Sequence, residues 1–354
     1  MSRPPKQEQE PASSEVIEVA PGVLRMQLPI MFPGLAHVNC YALEDKDGFA
    51  IVDPGMPGPD SYKALKTRLR SAGSAMRHVH TVVITHSHPD HFGGAGRVAR
   101  DAGAKIVTSK QFRTWWDPDE PDTDIDAETV GDSTSDDADS PRRPFPFAGP
   151  TPWGGAPPEP PKAFQSRRGR RRARRWFLTP TPTDRLDDAD VTRLAGRDWV
   201  AIHTPGHTAD HLCLLDRENG VLLAGDHVLP TITPHISGLG GGPDPLADFF
   251  VSLDRVAALP DVTNVLPAHG HPFTDLAGRV DHIKRHHDER LAKLRDASDR
   301  LGEASVQDYM RELFRERSWG TMAESETYAH LEHLRIDGRA ESRGEGGRLL
   351  YSIG

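Results

Sequence analysis

Three histidines and an aspartate crowd into His86-Ser87-His88-Pro89-Asp90-His91, directly after the apolar run Val79-His80-Thr81-Val82-Val83-Ile84. A buried strand that ends in a turn aims such side chains at one point, and neutral imidazoles with a carboxylate suit a divalent metal of borderline softness. A lone histidine in a polar loop would carry no such message; a cluster this dense does. Further along, the same arrangement of apolar run followed by a ligand-type residue recurs. Trp199-Val200-Ala201-Ile202-His203 leads through Thr204-Pro205-Gly206 to His207. Gly220-Val221-Leu222-Leu223-Ala224-Gly225 delivers Asp226, and Val265-Leu266-Pro267-Ala268 delivers His269. The Pro-Gly pair forces the bend before His207. Sites on layered α/β folds gather at strand ends of this kind.

Taken in order, HSHPDH, GHT, GD and AHG resemble the motifs of the metallo-β-lactamase-fold hydrolase superfamily, and the resemblance spans roughly residues 14–285. It implies two divalent metal ions. His86, His88 and His207 would hold the first, Asp90, His91 and His269 the second, and Asp226 would bridge them. Asp53, in Ile51-Val52-Asp53-Pro54-Gly55, matches an early aspartate of the family and would orient a ligating histidine from behind. By turn chemistry alone it would be a simple turn-former before Pro-Gly. The implied reaction is metal-assisted hydrolysis, with Asp90 or Asp226 accepting a proton. Zinc suits the nitrogen-rich set, while iron and manganese fit the same donors. Zinc β-lactamases often carry a cysteine where this chain has Asp226, so the bridging aspartate points to the glyoxalase II, lactonase and ribonuclease branches.

His203, His211, His227 and His271 flank these positions and read as packing or hydrogen-bonding residues. His235 follows Asp226 closely and could line the substrate pocket, where an imidazole can protonate a leaving group; a surface histidine is the bland alternative. Cys40 and Cys213, the chain's two cysteines, sit in apolar strand-like runs and read as buried small hydrophobes rather than a redox pair.

The chain has 354 residues and a formal net charge of −9, which gives no global reason to bind nucleic acid or anionic membrane. The opening Met1 to Glu10 has no apolar core, and no apolar run is long enough to span a bilayer. The expectation is a cytoplasmic protein, with homo-oligomer formation left open. Its Ala-, Arg-, Asp- and Gly-rich composition is typical of a GC-rich bacterial genome.

The fold expected is α/β (α+β): a four-layer αββα metallo-β-lactamase sandwich with a small C-terminal winged-helix domain. Residues 1–13 read as a disordered tail. The catalytic domain spans 14–285, with strands near Val16–Ala20, Val23–Leu28, Val38–Leu43 and Phe49–Val52. A helix runs from Asp60, read as its N-cap, to Ala72, and another from near His91 to Ala102. Residues 117–175 form a low-complexity insertion: acidic, then proline-rich, then the basic run Arg167-Arg168-Gly169-Arg170-Arg171-Arg172-Ala173-Arg174-Arg175. Such composition buries little apolar surface, so much of it should be loop or disordered, with Trp115-Trp116 and Trp176-Phe177 anchoring its ends. The arginines could grip phosphate, but charge runs are more often solvated faces.

Residues 286–354 read as helices at Ser305–Phe314 and Thr321–Ile336 and a hairpin from Arg339 to Ile353. This order is similar to the winged helix of the branch that includes the animal lactamase-β-like 2 protein. Glu324, Glu326 and Glu332 on the presumed recognition helix would repel phosphate, which favours a packing role, a dimerisation role or a wall of the substrate cleft. The leading function is hydrolysis of a small-molecule ester, thioester or lactone. The alternative is an endoribonuclease or phosphodiesterase using the same metals.

Overall fold

The computed structural model describes residues 6–32, 34–114, 151–156, 176, 178–240 and 242–354. The expectations for the acidic stretch, the arginine run, Trp115-Trp116 and Phe177 fall outside these residues.

Two sheets face one another. The first has seven strands in chain order: β1 (Val16–Ala20), β2 (Val23–Phe32), β3 (Leu35–Asp45), β4 (Gly48–Val52), β5 (Val79–Val83), β6 (Lys105–Ser109) and β7 (Asp184–Leu186). The second comprises β8 (Val191–Leu194), β9 (Arg197–His203), β10 (Leu212–Asp216), β11 (Val221–Gly225) and β12 (Asn264–Pro267), in the order β12-β11-β10-β9-β8. Tyr41, Leu43, Val52 and Val83 from the first sheet and Trp199, Leu212, Leu214 and Leu223 from the second form the buried layer between them. Alternate residues of the first sheet, among them Met26, Cys40, Ile51 and Val82, pack outward against helices α1 (Pro59–Ser71) and α3 (Ala95–Ala102). The outer face of the second sheet packs Cys213, Leu215 and Leu222 against α4 (Pro245–Ala257) and α5 (Leu276–Leu301). The layers therefore run helix, sheet, sheet, helix, as the family resemblance implies.

The chain continues through β13 (Ala304–Ser305), α6 (Val306–Leu313), α7 (Thr321–Ile336), β14 (Ala340–Glu345) and β15 (Arg348–Ile353), whose three strands pair in the order β13-β15-β14. Ser305 caps α6 with a full capping box to Asp308. Tyr309, Leu331, Leu334 and Tyr351 of this unit belong to the same buried cluster as Ile202 and Leu222 of the second sheet. A division at 285/286 would cut through the middle of α5, which serves both parts.

Several local expectations need correction. Residues 6–13 are not a loose tail: Gln7–Gln9 form a 3-10 turn and Glu8 is fully buried. Its carboxylate accepts from the main-chain N–H groups of Thr231 (2.9 Å) and Ile232 (3.1 Å) and from the Thr231 hydroxyl. Residues 151–156 interrupt the expected low-complexity insertion with ordered structure. Trp153 is fully buried, packs on Tyr328 with ring centroids 5.0 Å apart and donates Nε1–H to Glu324 (2.8 Å). Helix α1 starts one residue earlier than expected, with Pro59 in the first turn after Gly58, so Asp60 lies inside it. The helix expected over 91–102 is two: α2 (Pro89–Phe92) and α3, separated at Gly93-Gly94, where the main chain packs on Pro54 and Pro57 too closely for any Cβ.

Helix α7 is not a solvated acidic face. Glu326 is buried beside Arg290 (2.8 Å), Glu324 receives Trp153, and Glu332 accepts from the Tyr351 hydroxyl (2.6 Å) and pairs with Arg335. The argument that its glutamates would repel phosphate therefore falls. The helix is occupied by the body of the protein itself.

Candidate metal centre

β4 and β5 run parallel, as do β11 and β12, so their C-terminal ends lie at one edge of the sandwich. There β4 releases Asp53, β5 releases the 84–91 loop, β11 releases Asp226 and β12 releases His269. The two sheets are stitched at this edge. Leu212 N–H bonds to Thr85 C=O (2.8 Å), and Asn39 bonds through its main chain to Ala268 C=O (2.7 Å) and through its side chain to Pro267 and Gly270 C=O. Gly225 has φ +50, and a Cβ there would meet the His211 ring at 2.6 Å, so the turn presenting Asp226 requires glycine.

The side chains fall into two adjoining groups. His86, His88, His207 and Asp226 form one; Asp90, His91 and His269 form the other. His88 Nδ1 lies 3.0 Å from both His86 Nε2 and His207 Nε2. Asp226 lies between the groups, with Oδ2 3.5 Å from both His207 Nε2 and His91 Nε2, and Oδ1 3.3 Å from His269 Nε2. Asp90 Oδ2 sits 3.4 Å from His269 Nε2 and 3.6 Å from His91 Nε2. All seven are buried except His88, which is half-buried.

The outer hydrogen bonds set the tautomers. A carbonyl only accepts, so His207 Nδ1–H donates to His235 C=O (2.7 Å) and His269 Nδ1–H donates to His37 C=O (2.6 Å). His91 Nδ1–H donates to Asp53 Oδ2 (2.9 Å). Thr85 gives its hydroxyl proton to Asp53 (2.8 Å), which leaves its oxygen to accept from His86 Nδ1–H (3.0 Å). Four rings thus keep a proton on the outer nitrogen and turn Nε2 inward. This backing by carboxylate or carbonyl is the pattern found behind ligating histidines. Asp53 holds φ 55, a strained conformation for a residue with a side chain, and meets both His91 and Thr85 from it.

The charge state fits the same donors. Burial opposes ionisation of Asp90 and Asp226, yet His91 and His269 outweigh it and hold Asp226 well below the usual range and Asp90 at about 2. Burial would lower His91 and His269, but the carboxylates raise both, His269 to about 10. Burial lowers His86 strongly and His88 to about 3. Among the described residues, His91 Nε2, His269 Nε2 and Asp226 Oδ1 are buried and make no hydrogen bond, although Asp226 Oδ1 and His269 Nε2 stand 3.3 Å apart. Donor atoms so placed fit divalent cations, whose binding would displace the inner protons from His91 and His269.

His235 is half-buried, its ring Nδ1 3.3 Å from Glu326 Oε2. Of the flanking histidines, His211 Nε2 accepts from Asp226 N–H (3.0 Å), His203 bonds Ala209 C=O, His271 bonds Glu10, and His227 packs edge-on against Phe249 with ring centroids 5.2 Å apart. Cys40 and Cys213 are buried free thiols, and burial pushes Cys213 up to about 12. A third cluster, His287, Glu326 and His330, lies between α5 and α7. Arg290 already matches the Glu326 charge there, and the two rings bond each other (3.0 Å), so a cation would meet a guanidinium. His37 and Thr85 carried no signal in the sequence, and Glu326 read there only as a charge that repels phosphate: each makes its contact through a side chain or carbonyl that only the fold brings into place.

This geometry has a known setting. Residues 33–269 match the family described as the Metallo-beta-lactamase superfamily, and the chain belongs to it. It is accordingly a hydrolase of a metal-dependent superfamily. The probable metallo-hydrolase YqjP of Bacillus subtilis is 24% identical over 93% of this chain and 97% of its own length. The acyl-coenzyme A thioesterase MBLAC2 of Gallus gallus is 35% identical over 29% of this chain and 37% of its own length. Several curated relatives are matched over less than two thirds of their own length. A metallo-beta-lactamase family protein from Thermus thermophilus superposes over 95% of this chain and all of its own, with a TM-score of 0.73 and 26% identity. No described helix is long and apolar enough to cross a membrane.

Proposed function

We propose that the protein is a dinuclear metallohydrolase that cleaves a small thioester, ester or lactone. His86, His88 and His207 would hold one ion, Asp90, His91 and His269 the other, and Asp226 both. The observation that carries this reading is the pair of adjoining donor groups with Asp226 between them, in which three buried polar atoms make no hydrogen bond among the described residues. Zinc is the ion the nitrogen-rich donors suit best. When bound, two such ions acidify a shared water and polarise the substrate's carbonyl oxygen.

The chain's own residues do the rest. Asp53 and the carbonyls of His37 and His235 hold the rings at fixed angles, so little reorganisation accompanies reaction. Asp90, acceptor-only at neutral pH, can take the proton that the attacking water gives up and return it to the leaving group. His235 meets His207 through its main-chain carbonyl, and its ring, on Glu326, is the candidate second proton donor. Thioesters lead the substrate classes because relatives named as thioesterases are 30% and 35% identical over 27% and 29% of this chain. The order helix, strand, helix, helix, hairpin at the C-terminus supports a winged-helix unit with a packing role.

The test is metal analysis of the purified protein, followed by turnover of thioester, ester, lactone, β-lactam and phosphodiester substrates. Two equivalents of metal and thioester turnover are expected, with Asp226→Ala losing both metal and activity. Full activity in that variant would show the site to be misassigned, and a preference for phosphodiesters would move the substrate class.

A further inference from the structure

The loop after Asp226, residues 227–240, buries Val228, Leu229 and Ile236 in the core and ends in Ser237-Gly238-Leu239-Gly240, whose glycines leave that end to be set by its contacts. It is held from outside by two carboxylates far away in sequence. Glu8 grips its start at Thr231 and Ile232. Helix α7 grips its middle: His235 Nδ1 meets Glu326 Oε2 at 3.3 Å, and Gly238 N–H donates to Ser325 Oγ at 3.1 Å. Gly238 lies so close to α7 that a Cβ there would stand 2.4 Å from the Tyr328 ring. Glu326 is itself fixed by Arg290 on α5. The main-chain carbonyl of the same His235 accepts Nδ1–H of His207 at 2.7 Å.

We propose that Glu326 is a positioning residue for the metal centre: by holding the His235 ring it sets the carbonyl that orients His207. The C-terminal unit thereby completes the site without contributing a ligand. This rests on His207 being a ligand, as read above. An orienting partner behind a ligating histidine typically changes metal affinity or activity by roughly 10–100-fold. Glu326 acts one link further back, so the lower end of that range applies.

The experiment uses the full-length, metal-loaded protein with Glu326→Gln, His235→Ala and the double variant. Metal retention against a chelator series, the visible absorption of the cobalt(II)-substituted protein, and kcat and KM are measured for each. Glu326→Gln should weaken retention of one ion about 10-fold, shift the cobalt bands and lower kcat with KM little changed. His235→Ala leaves the Arg290–Glu326 pair alone, so it keeps the test open if Glu326→Gln fails to fold. The double variant should be no worse than the more damaged single variant, since both cut one link. Wild-type retention and spectra in both single variants, or losses that add in the double, overturn the proposal while leaving the metal centre standing. A wild-type protein that takes up no metal overturns the site and this proposal together.

Discussion

Asp53 concentrates the residue-scale argument. Its side chain reaches His91 Nδ1 and both the N–H and hydroxyl of Thr85 from a backbone with φ 55. Asparagine tolerates that conformation and keeps one acceptor, so Asp53→Asn should fold normally yet lose the charge that holds His91. Activity should fall roughly 10–100-fold, with one metal ion bound more weakly, as read by isothermal titration. Asp53→Ala should add about 1 kcal/mol of instability from the strained backbone, visible in the denaturant midpoint. The ligand-type residues were legible because each follows an apolar run within a few positions, which fixes where a side chain points before any tertiary contact is known. Their backing was not. Glu8 and Thr231 are 223 positions apart, and Trp153 and Glu324 are 171 apart. No periodicity encodes such a pairing.

Among elements, the segments that departed most from expectation are the shortest. Glu8→Ala would remove the acceptor shared by the Thr231 N–H, the Thr231 hydroxyl and the Ile232 N–H; because Thr231 is open to water, the cost should be about 1–2 kcal/mol, measured by urea unfolding. Trp153→Ala should cost about 3–5 kcal/mol by emptying a site shared with Tyr328, whereas Trp153→Phe keeps most of the volume and loses the bond to Glu324, at about 1–2 kcal/mol. Proline-rich flanks hid that tryptophan, since composition averages over the one residue that packs. The interface of α5 and α7 carries a pH dependence. Burial lowers His287 and lowers His330 to about 4. Unfolding returns each to the ordinary value near 6.5, so below that pH the unfolded chain takes up protons that the folded chain refuses. Stability should therefore fall as pH drops from about 6.5 to about 4, by roughly 3 kcal/mol for His330 alone. His330→Gln should flatten the slope of denaturation midpoint against pH over that window; an unchanged slope would assign the acid sensitivity elsewhere.

For the molecule as a whole, the αββα layering was implied by the family resemblance that the metal motifs carry; β10 and β11 of the second sheet are apolar runs, buried on both faces, and alone do not say how the layers stack. The expected split at residue 285 falls inside α5, which packs on both neighbours at once, a continuity that no composition shift along the chain reveals. Metal should act on this single body as a stabilising ligand. At about 100 times the dissociation constant one site adds about 2.7 kcal/mol, so zinc should raise the melting temperature by several degrees and a chelator should remove the gain. Asp226→Ala should show no such response. The strap at residues 6–10 has a practical corollary. Anything tethered at the amino end transmits its bulk and tension first to Glu8, and from there to the segment that steadies His207. Gly354 lies exposed at the edge of the β14–β15 hairpin, and Tyr351 of that hairpin bonds Glu332 of α7, so a load applied there reaches the helix that carries Glu326.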